Sequence, residues 1–139
     1  MDEKQYIDDV LIAIAHPVRT KILKALKESP KTTSELIKIT GVSDRRHLYY
    51  HLDELSGSNK KKNKTPVKLI KAEKINKKTN LYSLLPLKTN KAILVLDSED
   101  IEKKPKEFSE FIRAMSDMEG EKIPNVKGIA RVEIVIHYS

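Results

Sequence analysis

Ser43-Asp44-Arg45-Arg46-His47-Leu48-Tyr49-Tyr50-His51-Leu52-Asp53-Glu54-Leu55-Ser56-Gly57 is the stretch on which the reading of the fold turns. Leu48, Leu52 and Leu55 stand at i, i+4 and i+7, which predicts one buried stripe on an α-helix. Ser43 or Asp44 can cap that helix, and the run Ser56-Gly57-Ser58-Asn59 ends it. The opposite face carries Arg45, Arg46, Tyr49, Tyr50 and Asp53. Two arginines in a first turn oppose the positive end of the helix dipole, so an anionic partner explains them better than a merely solvated helix start does.

Upstream, three more helices are expected. Tyr6 to Ala15 carries Ile7, Val10, Leu11 and Ile14 at helical spacing, with Ile12 outside the stripe, a pattern that suits packing against two partners. His16-Pro17 breaks it, and Pro17 suits the first position of a second helix running to about Lys27, with Val18, Ile22, Ala25 and Leu26 inward. Thr32 or Thr33 caps a short third helix with Leu36, Ile37 and Ile39 inward, and Gly41 turns the chain toward Arg45. Downstream, Val67 to Ile75 and Leu81 to Leu84 read as strands around Asn76-Lys77-Lys78-Thr79-Asn80, a hairpin. Two short helices joined by a glycine-containing turn and followed by a basic hairpin describe a winged helix-turn-helix over residues 1–88.

Residues 89–139 read as a small α/β extension, which makes the fold class α+β. Pro105 to Met118 is an amphipathic helix with Phe108, Phe111, Ile112, Met115 and Met118 on one face, and Gly120 is its stop. Ala130 to Tyr138 alternates as a half-buried strand; 92–97 reads either as a buried strand or as the start of a helix after the wing, and because a lone terminal strand would leave an unpaired edge a strand is favoured, giving strand-helix-strand.

Charge divides along the same line. The chain has 139 residues and a formal net charge of +7; residues 1–91 hold 20 Lys and Arg against 10 acids, and residues 92–139 hold 7 against 10. Between residues 57 and 91 eleven lysines face one acid, Glu73. A cationic lobe joined to an acidic one suggests a polyanion for the first and another task for the second, although a well-solvated lysine-rich surface has the same composition.

Several function classes drop out. With no cysteine there is no disulfide, thiol nucleophile or cysteine-bound metal, a composition compatible with a reducing cytoplasm. Aromatics at 5% leave too little for a large aromatic-lined pocket. The apolar run Val10 to Ala15 is far below the ~20 residues that span a bilayer, and Met1-Asp2-Glu3-Lys4 is not a signal-peptide n-region, so the expectation is a cytoplasmic protein with no membrane partner. Gly41, Gly57, Gly120 and Gly128 form no phosphate loop or nucleophile elbow, and neither an enzyme nor a cofactor is expected. His47 and His51 have a spacing that can hold a metal, but no H-E-x-x-H pattern accompanies them, and no metal site is expected. Asp97, Glu99, Asp100 and Glu102 lack the glycine and length of a calcium loop and read as helix capping or a solvated surface.

Three segments in this order resemble one family. Ile14 to Leu23, with His16-Pro17-Val18-Arg19 and Ile22-Leu23, is similar to the opening of the ArsR-type (arsenic-repressor-like) winged-helix regulators. Leu48-Tyr49-Tyr50-His51-Leu52-Asp53-Glu54-Leu55 is similar to the recognition helix of archaeal-like members, and Leu69-Ile70-Lys71 through Asn80 to Leu84 resembles their wing. The resemblance covers roughly residues 5–88. It departs from the pattern in a longer, more basic Ser56–Pro66 connection and in lacking the cysteine metal motif. It implies transcription regulation through DNA, usually as a homodimer, and not arsenic or zinc sensing.

On this reading Arg45 and Arg46 are placed to pair with guanine O6 and N7, and Tyr49 and Tyr50 to reach phosphate or thymine methyl, with packing under the wing as their alternative role. Lys77 and Lys78 at the wing tip would touch the backbone or an adjacent minor groove, and Lys60, Lys61, Lys62 and Lys64 would either contact DNA or serve only as a solubilising loop. Candidate dimer-interface residues are Ile7, Val10, Leu11, Ile14, Phe108, Phe111, Ile112 and Met115. The expected partners are double-stranded DNA, a second copy of the chain, and an effector or protein at the extension. The rival readings are a sequence-indifferent chromatin-like or RNA-binding protein, and a protein-interaction module that uses the winged helix as scaffold.

Overall fold

A computed structural model of the chain describes residues 3–57, 67–120, 122 and 126–138. The chain divides into two compact units, Met1–Thr89 and Asn90–Ser139. Among the described residues no helix is long and apolar enough to cross a membrane.

The first unit begins with α1 (Glu3–Ile14) and α2 (Pro17–Glu28). Ile7, Val10 and Ile14 are buried at helical spacing, while Ile12 is 66% exposed, as its place off the stripe predicts. At the corner, His16 is the N-cap of α2: its Nδ1 accepts the Val18 N–H at 3.2 Å, and Pro17 takes the position that needs no donor. The buried Thr20 hydroxyl locks the corner by donating to the Ile14 carbonyl at 2.8 Å. Val18 proves half-buried, and Thr20, Ile22, Ala25 and Leu26 form the inner face of α2.

Then follow β1 (Lys31–Thr32) and α3 (Thr33–Thr40). Thr32 and Glu35 make a reciprocal capping box, the hydroxyl accepting the Glu35 N–H at 3.3 Å and the carboxylate accepting the Thr32 N–H at 3.0 Å. Those hydrogen bonds hold the Glu35 carboxyl below its ordinary pKa. Ile39, expected inward, is instead 43% exposed, because eight residues bury only the face of Thr33, Leu36 and Thr40. Gly41 ends α3 at φ 70°. A Cβ there would meet nothing within 4 Å, so the left-handed backbone, not crowding, calls for glycine.

α4 (Arg45–Ser56) is capped by Asp44, whose Oδ1 accepts the Arg46 N–H at 2.9 Å. Leu48, Leu52 and Leu55 are fully buried against a core that includes Ile22, Leu36 and Ile70. The hairpin consists of β2 (Ile70–Asn76) and β3 (Thr79–Leu84), antiparallel, with Ala72 opposite Tyr82 and Lys74 opposite Asn80. Its turn is shorter than expected: only Lys77 and Lys78 lie between the strands, and the Asn76 Oδ1 accepts the Lys78 N–H at 2.9 Å. Val67 to Leu69, expected as strand, is not strand. Leu69 instead donates its N–H to the Leu55 carbonyl at 2.8 Å and so docks the hairpin base on the end of α4. β1 adds a third strand in the order β1-β3-β2, pairing Lys31 with Tyr82. The unit is a winged helix-turn-helix, with α3 and α4 as the paired helices and β2–β3 as the wing, and the chain as a whole is α+β.

The second unit holds β4 (Lys91–Leu96), α5 (Ser98–Lys103), α6 (Pro105–Glu119) and β5 (Val132–His137), with β4 and β5 antiparallel and Ile93 opposite Val135. The expected strand-helix-strand is thus strand-helix-helix-strand. The acidic cluster is the start of the extra helix: Asp97 and Asp100 form a capping box, with bonds of 2.9 and 3.1 Å. α6 buries Phe108 and Ile112 only. Phe111 and Met115 are each 37% exposed and Met118 is 88% exposed, so the apolar face of α6 extends past what its own unit covers.

Candidate nucleic-acid interface

Asp44 starts α4 so that Arg45 and Arg46 occupy its first two positions, both exposed. The Arg46 side chain is 93% exposed and its Nε lies 3.7 Å from the Asp44 carboxylate, a loose surface pairing that contributes little to stability. Neither arginine is part of the buried core. In the second half of the helix Asp53 is drawn above its ordinary pKa, first by partial burial and then by Glu54 beside it.

The two tyrosines differ. Tyr49 is half-buried. Tyr82 of β3 sits close enough to feel Tyr49 and Asp53; burial above all raises its phenol pKa, against hydrogen bonds with Thr33 and Asn80 that lower it. Tyr49 is thus a neighbour of the wing and keeps part of its side chain accessible. Tyr50 is 40% exposed, and the Arg19 guanidinium stands 5.8 Å from its ring centroid. That cation–π contact ties Tyr50 to α2 and leaves part of its ring at the surface.

The wing presents its charge at the tip and along β2. Lys71, Lys74, Lys77 and Lys78 are all exposed, and every β2 residue after Ile70 is exposed. Lys60, Lys61, Lys62 and Lys64 lie outside the described residues. Of the candidate interface residues, Ile7, Val10 and Ile14 in the first unit and Phe108 and Ile112 in the second are already buried within one chain, so they offer no face to a partner. Leu11 is half-buried, and Phe111 and Met115 keep exposed surface.

Sequence reasoning missed a polar network that joins α4 to α1 and α2. His51 is buried, and its Nδ1 accepts the Arg19 Nε–H at 3.0 Å. Arg19 also donates from Nη1 to the Ala13 carbonyl at 3.2 Å, which links α1, α2 and α4. The Nε2 atoms of His51 and His47 are 3.4 Å apart with their rings perpendicular, and the His16 ring centroid lies 4.2 Å from that of His51. Burial first, then His16, Arg19 and His47, push the His51 pKa down to about 4. Burial, Arg19 and His47 lower His16 too. The i, i+4 spacing of His47 and His51 was the one visible signal; Arg19 comes from 32 residues away. Among the described residues no group of three or more His, Asp or Glu side chains has metal-holding geometry.

In the second unit an open cleft of about 370 Å³ is floored by Leu96, Ile101, Phe108 and Phe111, with Asp100, Lys103, Lys104 and Glu107 around it.

Residues 7–73 match the model of a domain of unknown function (DUF7347). No curated protein matches the chain. Among solved structures, the crystal structure of NolR from Sinorhizobium fredii is similar, with a TM-score of 0.47 and 19% identity over 86% of this chain and 90% of that chain. A likeness at that level assigns neither a function nor a binding residue.

Proposed function

We propose that the first unit binds double-stranded DNA, with the start of α4 in the major groove and the wing against the phosphates, and that the chain is a dimeric, sequence-specific transcriptional regulator. The observation that carries this is the exposed Arg45–Arg46 pair at the first two positions of α4, where the fold has no use for it and the helix dipole opposes it. Guanidinium forks there match guanine O6 and N7, and the N-terminal residues of the second helix are those that reach base edges in helix-turn-helix docking. The lysines at the wing tip supply sequence-independent affinity by displacing counterions. The resemblance of residues 5–88 to ArsR-type regulators points the same way.

A second copy would use surface that one chain leaves uncovered: Ile12 beside Leu11 on α1, or Phe111, Met115 and Met118 on α6. The cleft in the second unit is where an effector of small size would bind. No catalytic role is assigned. The exposed lysines favour one rival, a binder indifferent to sequence. Selection from randomised duplexes with the purified protein separates the two: a regulator enriches one motif, and an indifferent binder enriches none.

A further inference from the structure

We propose that His47 donates a hydrogen bond from Nδ1 to an acceptor on the DNA base edge, in a tautomer fixed by Arg19 acting through His51. The inference rests on α4 reading the groove, and it adds a reader that charge and spacing do not reveal.

The argument follows protons. Arginine has donors only and does not lose its proton, so the Arg19 Nε–H at 3.0 Å forces His51 Nδ1 to be the acceptor. A neutral His51 then carries its hydrogen on Nε2. That atom lies 3.4 Å from His47 Nε2, which must accept it. A protonated His47 would set donor against donor across that contact. His47 is therefore neutral there, with its hydrogen on Nδ1. No described residue takes that hydrogen. The side chain is exposed at the third position of α4, directly after the two arginines. A purine N7 or a base carbonyl accepts such a donor, and so does a phosphate oxygen; the position at the start of the second helix favours the base edge.

The same chain of donors argues against a metal bridging the two Nε2 atoms. A ligating His51 Nε2 would put the hydrogen on Nδ1, facing the Arg19 N–H. Arg19 and His51 are positioning residues: they hold His47 in one tautomer and do not touch the DNA. His16, whose ring also lies against His51, is itself fixed with Nδ1 accepting from Val18 and cannot compete for the His51 hydrogen through that atom.

Two measurements on the full chain test this. Side-chain nitrogen-15 spectra at neutral pH, assigned with H47Q and H51Q, are expected to show His51 as the Nε2–H form and His47 as the Nδ1–H form, and R19Q should release His47 to the Nε2–H form. A wild-type His47 found as Nε2–H overturns the relay. In binding assays on a selected duplex and its single-base variants, H47A is expected to lose about tenfold in affinity and to lose discrimination at one base pair, as suits one hydrogen bond withdrawn from a groove edge. R19Q should lower discrimination at the same base pair. An equal loss on every duplex would put the donor on a phosphate and overturn base reading. If the wild-type chain bound no duplex at all, the groove-reading role of α4 would fall, and the contact with it, whatever tautomers the spectra report.

Discussion

Arg45 and Arg46 are the residues on which the functional reading depends, and their environment says what removing them will do. Both are exposed, and the only ion pair described for Arg46 is a loose one with its own cap. The double substitution R45A/R46A should leave the melting temperature within a degree or two of wild type, because surface changes of this kind cost within ~0.5 kcal/mol. It should abolish preference for the selected duplex while weak general binding survives. Full discrimination in the double variant, read by competition against random duplex, would show that α4 is not the reading helix. His51 makes a prediction of a different kind. Its pKa falls from 6.5 to about 4 on folding, so the unfolded chain binds its proton first. The neutral form is stable above about pH 6.5, and stability is lost as pH drops toward 4. His16, Arg19 and His47 face it and oppose its charge, and Glu54 favours it. Denaturation midpoints measured between pH 7 and 4.5 should therefore fall less steeply for H51Q than for wild type; parallel slopes would mean that His51 does not titrate across this window.

The elements legible in the sequence are those whose causes are local. The starts of α3 and α4 can be read because a capping residue and its partner lie within three residues of each other, as in Thr32–Glu35 and Asp44–Arg46. Gly41 is equally plain. The buried stripe Leu48, Leu52, Leu55 needs only the helical period. What could not be read was made elsewhere. β1 has two residues, too few to alternate, and exists because Lys31 meets Tyr82 about fifty positions on. α5 is a separate case: its capping acids are local and legible, but with no apolar stripe and no buried residue nothing in the sequence marks the helix they start. The Arg19–His51 contact joins two helices, and no spacing announces it. At this scale Thr32→Ala should cost about 1 kcal/mol, the usual loss for an N-cap, measured by chemical denaturation. Leu52→Ala should cost about 2–5 kcal/mol, because a fully buried leucine leaves a cavity. A cap loss as large as the core loss would mean that Thr32 does more than cap α3. For the wing, Lys77→Ala and Lys78→Ala should each flatten the log–log salt dependence of DNA binding by about 0.9 if each touches a phosphate. An unchanged slope removes the wing tip from the interface.

The molecule as a whole is two units of opposite charge balance, a cationic one, which we propose meets a polyanion, and an acidic one with uncovered apolar surface. Burial of Phe108 and Ile112 within one chain narrows the interface proposed on α6 to Phe111, Met115 and Met118. Sedimentation of the purified chain should give a dimer at micromolar concentration, and Phe111→Asp with Met115→Asp should shift it toward monomer; a dimer untouched by both would move the interface off α6. The claim on which everything rests is that the start of α4 lies in the major groove. Methylation interference on the selected duplex tests it most directly, since guanine N7 is exposed only there. Methylating N7 at one or two guanines should block the wild-type chain and make no difference to whatever binding R45A/R46A retains. Interference confined to adenine N3 in the minor groove, or none at any guanine, would contradict the account.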